Sequence, residues 1–306
     1  MRESREFYIS DDGIRLHLKL DFPQENCDEN SDESCGKSGG ESFGEGCLAL
    51  PSETNRTEKA AKAEEMKKAE GAEKAEKAEK LPLMILVHGF TGDMEETHIR
   101  AVQRTANEEG FAVLRAEMYG HGQSGGSFGD HTLMKWISNI LTVIDYARSL
   151  DFVSDLYLCG HSQGGLLTML AGAMERDRLK AILPLSPASM IPEIARQGEI
   201  LGVPFDLDHI PAELDAGKSL TLRENYIRVA QLIDVDLAIA RYNGPVLIVH
   251  GTGDESVPYH YSEKAAAKYA NARLVPIPGD THCYDLHLDL AVDAVRAFMA
   301  EQGRGA

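Results

Sequence analysis

After residue 81 the apolar residues come in short unbroken runs instead of alternating with polar ones. LMILVHG, FAVLRAE, LYLCG, AILPLSP, PVLIVHG and RLVPIPG each have the continuous pattern of a strand covered on both faces. Stretches of helical periodicity separate most of them, over 95–109, 131–149, 163–175, 262–271 and 288–301. Such alternation predicts an α/β protein with a mostly parallel central sheet flanked by helices. Ahead of this region the pattern differs. REFYIS and IRLHLKLDF alternate polar and apolar positions around the turn signal DDG, which predicts an antiparallel hairpin.

Two segments interrupt the regular pattern. Residues 24–80 begin with QENCDENSDESCGKSGGESFGEG, acidic and rich in Ser and Gly, and continue as an Ala-Glu-Lys repeat. In the repeat Glu70, Glu73 and Glu76 stand four residues before Lys74, Lys77 and Lys80, which supports a solvated helix by a few tenths of a kcal/mol per pair. No apolar face is available to dock it, so 24–80 is expected to be a low-complexity surface insertion. The second interruption, 187–244, is too long for a simple crossover and is expected to form an inserted cap above the carboxyl ends of the strands. The core is then built from 1–22, 81–186 and 245–306.

Composition narrows the function classes. A formal charge of -18 argues against nucleic acid, whose phosphates need a basic groove. The start MRESREFYIS lacks an apolar export stretch, and runs such as LPLMILV are too short to span a bilayer, so a cytoplasmic protein with no membrane partner is expected. The five cysteines form no C-x-x-C pair, which signals neither zinc nor a disulfide framework. Cys159 and Cys283 are expected to be small buried hydrophobes. A homodimer is compatible with the sequence, which does not specify the oligomeric state.

The chemistry centres on Gly160-His161-Ser162-Gln163-Gly164, a G-x-S-x-G with a strand before it and a helix after it. A serine at such a turn is strained, and side chains at the flanking glycines would collide with neighbouring elements. In return its Oγ stands clear at a helix start, where amide N–H groups favour negative charge. The base and orienting acid that a serine needs follow in the order Asp, His. Asp254 sits in GTGDESVP after one strand and His282 in GDTHCYD after the last. Asp280, Asp285 and Glu255 are the nearest rival acids, Asp280 being placed to bind backbone amides in its own loop. His161 is expected to brace the turn, and His121 to make a structural hydrogen bond. The oxyanion needs two backbone donors: Gln163 after the nucleophile, and Phe90 in HGFTG, where Gly89 permits a tight turn.

With HGFTG, GHSQGG, GTGDESVP and GDTHCYD in order, the chain resembles the α/β-hydrolase fold. The stretches AEMYGHGQSGGSFGDHTLMKWISNI, LSPASMIPEIARQGE and ENYIRVAQ make it similar to the bacterial feruloyl (cinnamoyl) esterases over about residues 1–22 and 81–300. The resemblance implies a serine carboxylesterase acting on hydroxycinnamate esters, a small-molecule substrate, through an acyl-enzyme. Ser162, His282 and Asp254 carry over as nucleophile, base and orienting acid, with Phe90 and Gln163 as oxyanion donors. It implies that no metal or cofactor is required. It also implies that Tyr226, in the cap, binds the phenolic hydroxyl of the substrate. Another serine hydrolase of the same fold, such as a monoacylglycerol lipase, thioesterase or short-chain esterase, would share the triad and differ in the cap.

Overall fold

The computed structural model describes residues 3–24, 80–215, 217 and 220–303. Apart from Gln24 and Lys80, the predicted insertion lies outside the described residues. Residues Met1–Gln24 and Leu81–Ala306 form one compact unit.

The predicted hairpin is present as β1 (Arg5–Asp11) and β2 (Ile14–Asp21), paired antiparallel with Asp11 opposite Ile14. Asp12 and Gly13 between them have φ of 50° and 80°, the left-handed pair that a two-residue turn needs to match strand twist. Six further strands complete the sheet: β3 (Leu81–Val87), β4 (Ala112–Ala116), β5 (Val153–His161), β6 (Ala181–Leu185), β7 (Val246–Gly251) and β8 (Ala272–Ile277). Their spatial order is β1-β2-β4-β3-β5-β6-β7-β8; β2 meets β4 antiparallel and every later pairing is parallel.

The unbroken apolar runs are explained by burial on both faces. Leu83, Ile85 and Val87 of β3 pack on one side with Trp136, Ile140 and Ile144 of α2 (Leu133–Arg148). Met84 and Leu86 point the other way, toward Ile99 and Val102 of α1 (Thr97–Glu108) and Val295 and Phe298 of α8 (Leu288–Gly303). With every β3 side chain from Leu83 to Val87 buried, alternation of polar and apolar residues has no use there. The helix α3 (Gln163–Met174) follows β5, and α7 (His260–Lys268) follows β7. The helix expected over 262–271 is therefore displaced toward its N-terminus. Tyr269 already adopts an extended conformation, because the chain must reach β8 at Ala272.

The segment between β6 and β7 contains α4 (Ile191–Gln197), α5 (Glu224–Leu232), α6 (Val235–Arg241) and two short antiparallel ladders, Glu199–Ile200 with Val203–Pro204 and Glu213–Asp215 with Thr221–Arg223. Ile191, Leu222, Tyr226, Ile227 and Ala230 are buried in the same cluster as the α2 side of the sheet. This segment thus shares the core with the sheet and α2. Among the described residues no helix is long and apolar enough to cross a membrane.

Candidate active site

Ser162 joins β5 to α3 with φ 56° and ψ -118°, a region that side-chain-bearing residues avoid, at a cost of about 1–3 kcal/mol. The surroundings hold it there. Its N–H donates to Leu185 O at 2.9 Å, and its carbonyl accepts from Leu166 N at 3.0 Å and Ala188 N at 2.9 Å. The flanking glycines are required by contact: a Cβ on Gly160 would stand 2.3 Å from Gly164 O, and one on Gly164 would stand 2.5 Å from His88 O.

Three loops bring the predicted triad together. Ser162 Oγ donates to His282 Nε2 across 2.8 Å, and His282 Nδ1–H donates to Asp254 Oδ2 across 2.6 Å. Asp254 is 8% exposed, and both of its oxygens are engaged. Oδ1 accepts the N–H groups of Ser256 and Val257, each at 2.8 Å, while Oδ2 accepts His282 and also His250 Nε2–H at 3.0 Å. Burial pushes the Asp254 carboxyl up, but the hydrogen bonds from His250 and His282 outweigh it and hold the group well below the usual carboxylate range. It stays ionised, which keeps the proton of His282 on Nδ1 and leaves Nε2 as a lone pair facing the serine.

The rival acids are occupied elsewhere. Asp280 is fully buried and accepts the backbone N–H groups of Thr281, Leu286 and His287, tying down the loop that carries His282. Asp285 accepts Thr281 Oγ1–H at 2.5 Å, and Glu255 is exposed. His161 donates Nε2–H to the carbonyl of His282 at 2.9 Å, so its side chain braces the loop that carries His282.

The expected oxyanion loop carries its own support. His88 is fully buried; its Nε2 accepts Met118 N–H at 3.1 Å, so Nδ1 holds the ring proton and donates to Gly89 O at 2.8 Å. Gly92 N–H donates to the same carbonyl at 3.2 Å. The Gly89 carbonyl and the Phe90 N–H belong to one planar peptide and point in opposite directions, so fixing the first aims the second. Burial depresses the His88 pKa to about 3, which keeps it in this neutral form. His121 donates from Nε2 to Phe90 O at 2.5 Å, fixing the next peptide plane. A Cβ on Gly89 would lie 3.2 Å from Ser162 Cβ, a tight contact that would press on the serine.

Tyr226 sits in α5, completely buried, with its ring against Phe90 and His131. Its hydroxyl donates to Gln163 Oε1 at 2.6 Å. In this arrangement the tyrosine braces the residue after the nucleophile, and a bond to a substrate phenol would require that contact to open.

Sequence reasoning missed His250, His88 as a brace, and Ser262, which lies 2.6 Å from His250 Nδ1. A signal existed for His250: it is the one polar side chain of the buried run VLIVHG and stands four residues before Asp254. The expectation for Cys283 needs correction. Cys159 is buried in β5, whereas Cys283 lies in the loop after β8 and is partly exposed, because the strand ends at Ile277.

Such a site can transfer an acyl group. In such an arrangement the imidazole can take the serine proton and the serine oxygen can attack a carbonyl, with backbone N–H groups at the start of α3 and in the Gly89-Phe90 peptide as the expected donors to the negative charge. Strand order, strained serine and hydrogen-bonded chain define a serine hydrolase of the α/β type.

Comparison with known proteins agrees. Residues 78–205 match the family model described as serine aminopeptidase, S33. A solved structure described as ferulic acid bound to Est1E from Butyrivibrio proteoclasticus is 50% identical over 97% of this chain and 98% of that one, with a TM-score of 0.79. Human palmitoyl-protein thioesterase ABHD10, mitochondrial, is 24% identical over 194 residues, 60% of this chain and 61% of its own length. Its Pongo abelii counterpart is 25% identical over the same shares, so this chain spans about 61% of the length of these curated relatives. The chain belongs to the α/β-hydrolase superfamily, in the bacterial feruloyl (cinnamoyl) esterase family.

Proposed function

We propose that the chain hydrolyses esters of hydroxycinnamic acids, carrying feruloyl, caffeoyl or coumaroyl groups, by way of an acyl-enzyme on Ser162. The observation that carries this reading is the 50% identity to Est1E over 97% of the chain, a span that takes in the cap as well as the catalytic loops. A likeness confined to the sheet would speak for the reaction alone.

In this mechanism His282 accepts the Ser162 proton as Oγ attacks the ester carbonyl. The oxyanion is held by the N–H groups of Phe90 and Gln163. His282 then protonates the departing alcohol and afterwards activates the water that releases the cinnamate. Asp254 holds the imidazolium that forms in both steps.

The test is a panel of methyl ferulate, methyl cinnamates of varied ring hydroxylation, and short aliphatic esters. Preference for the hydroxylated aromatic acyl groups is expected, and Ser162→Ala should abolish turnover of every substrate. A strong aliphatic preference overturns the acyl-group assignment, and full activity in Ser162→Ala overturns the serine mechanism.

The curated relatives support a second reading. They are described as palmitoyl-protein thioesterases. A palmitoyl thioester in the same panel separates the two, because a long flexible chain and a short planar ring need differently shaped pockets.

A further inference from the structure

Behind the catalytic histidine lies a cluster that the ester chemistry does not use. His98, at the start of α1, and His161 are each 3% exposed, with ring centroids 4.1 Å apart. Cys283 is the residue after His282. One ligand atom from each of His98, His161 and Cys283 lies within 4.8 Å of the other two.

The donor set has the character of a metal site. His161 gives its Nε2 proton to the carbonyl of His282, so its Nδ1 carries the lone pair, and that nitrogen is buried without a hydrogen-bond partner. An imidazole that donates one N–H to a carbonyl and turns its other nitrogen inward has the form of a metal-ligating histidine. His98 Nε2 is likewise buried and without a hydrogen-bond partner. Glu96 Oε2 stands 3.8 Å from that nitrogen, which adds negative charge at the rim. The partly exposed Cys283 leaves a way in from solvent.

We propose that His98, His161 and Cys283 form an inhibitory site for a thiophilic divalent cation of the zinc class. Two imidazoles and a thiolate suit Zn²⁺ or Co²⁺ and do not suit Mg²⁺ or Ca²⁺. On binding, the thiol proton passes to solvent, the thiolate and two nitrogen lone pairs form the metal bonds, and water or Glu96 completes the tetrahedron. Zn–S and Zn–N bonds of about 2.3 and 2.0 Å draw the three donors closer together than they stand now. That contraction pulls on Cys283 and on the His161 ring that holds the His282 carbonyl. It displaces the base from Ser162 Oγ and sets a positive charge beside an imidazole that must itself become positive.

The full-length enzyme, stripped with EDTA and desalted, is titrated with zinc chloride while hydrolysis of p-nitrophenyl acetate is followed. We expect kcat to fall about tenfold, EDTA to restore it, and equal Mg²⁺ to have no effect. His98→Leu and Cys283→Ala, each referred to its own zinc-free rate, should need at least about tenfold more zinc. Inhibition with an unchanged midpoint in both variants overturns the proposal, since the ion then acts on the triad itself. Binding is read separately with Co²⁺ in a chain whose Cys27, Cys35 and Cys47 are replaced by Ser. A thiolate-to-cobalt charge-transfer band is expected there and should vanish on adding Cys283→Ala. Its absence from the parent chain, or its persistence without Cys283, overturns the site regardless of activity or of any core damage from the His98 substitution.

Discussion

His250 Nε2 lies 3.0 Å from Asp254 Oδ2, the same carboxylate oxygen that accepts His282 Nδ1–H at 2.6 Å. The buried His250 also approaches Val257 O at 3.0 Å and has Ser262 Oγ at its other nitrogen, so its orientation is fixed from three sides. It is a positioning residue, which holds the acid that holds the base. His250→Gln should lower kcat about 10- to 100-fold with little change in KM, in keeping with the ~1–3 kcal/mol lost when a hydrogen bond to a buried charge is removed. Steady-state kinetics on p-nitrophenyl acetate check this.

Tyr226→Phe distinguishes two roles for one hydroxyl. If it acts by bracing Gln163, as the 2.6 Å bond indicates, methyl ferulate and p-nitrophenyl acetate should lose kcat by the same factor, about three- to tenfold. If it binds the phenol, only the ferulate should suffer, and in KM. Parallel kinetics on the two esters decide.

The positive φ of Ser162 gives a stability prediction independent of catalysis. Ser162→Gly and Ser162→Ala should both be inactive, yet the glycine variant should be the more stable of the two by about 1 kcal/mol, because glycine adopts φ 56° without strain and alanine does not. Urea unfolding of the two proteins measures the difference.

Asp254 makes stability depend on acid. Its carboxyl is held below its unfolded value, so the stabilisation is fully present above the unfolded pKa of about 3.9 and is lost as pH falls through the lower folded value. Asp254→Asn should therefore be less stable than the parent at neutral pH, and the gap should narrow in unfolding curves taken below about pH 4. Its turnover should drop about 10⁴-fold at neutral pH, since an amide no longer selects the right tautomer of His282.

Local rules made much of this legible. Continuous apolar runs gave the two-face burial of β3, and DDG gave the left-handed turn at Asp12 and Gly13. The glycines around Ser162 signalled an elbow before any neighbour was known, because a Cβ at Gly160 or Gly164 has no room. The loops after β7 and β8 held Asp254 and His282, since parallel strands present their carboxyl ends on one edge of the sheet. The cap was legible only as an interruption. Its helices are short, and its burial depends on α2 and the sheet beneath, which no local pattern encodes.

The sequence by itself determined the sheet, the strained turn at Ser162 and the order in which Asp254 and His282 follow it, because strand burial, turn strain and fold chirality act over a few residues or one crossover. Tertiary structure alone decided what surrounds those groups. It placed His250 on Asp254, His88 under the Phe90 peptide, Tyr226 on Gln163, and His98 beside His161 and Cys283. These contacts join residues as far apart as 185 positions, and they depend on ångström-scale approaches between loops that only the closed core brings together.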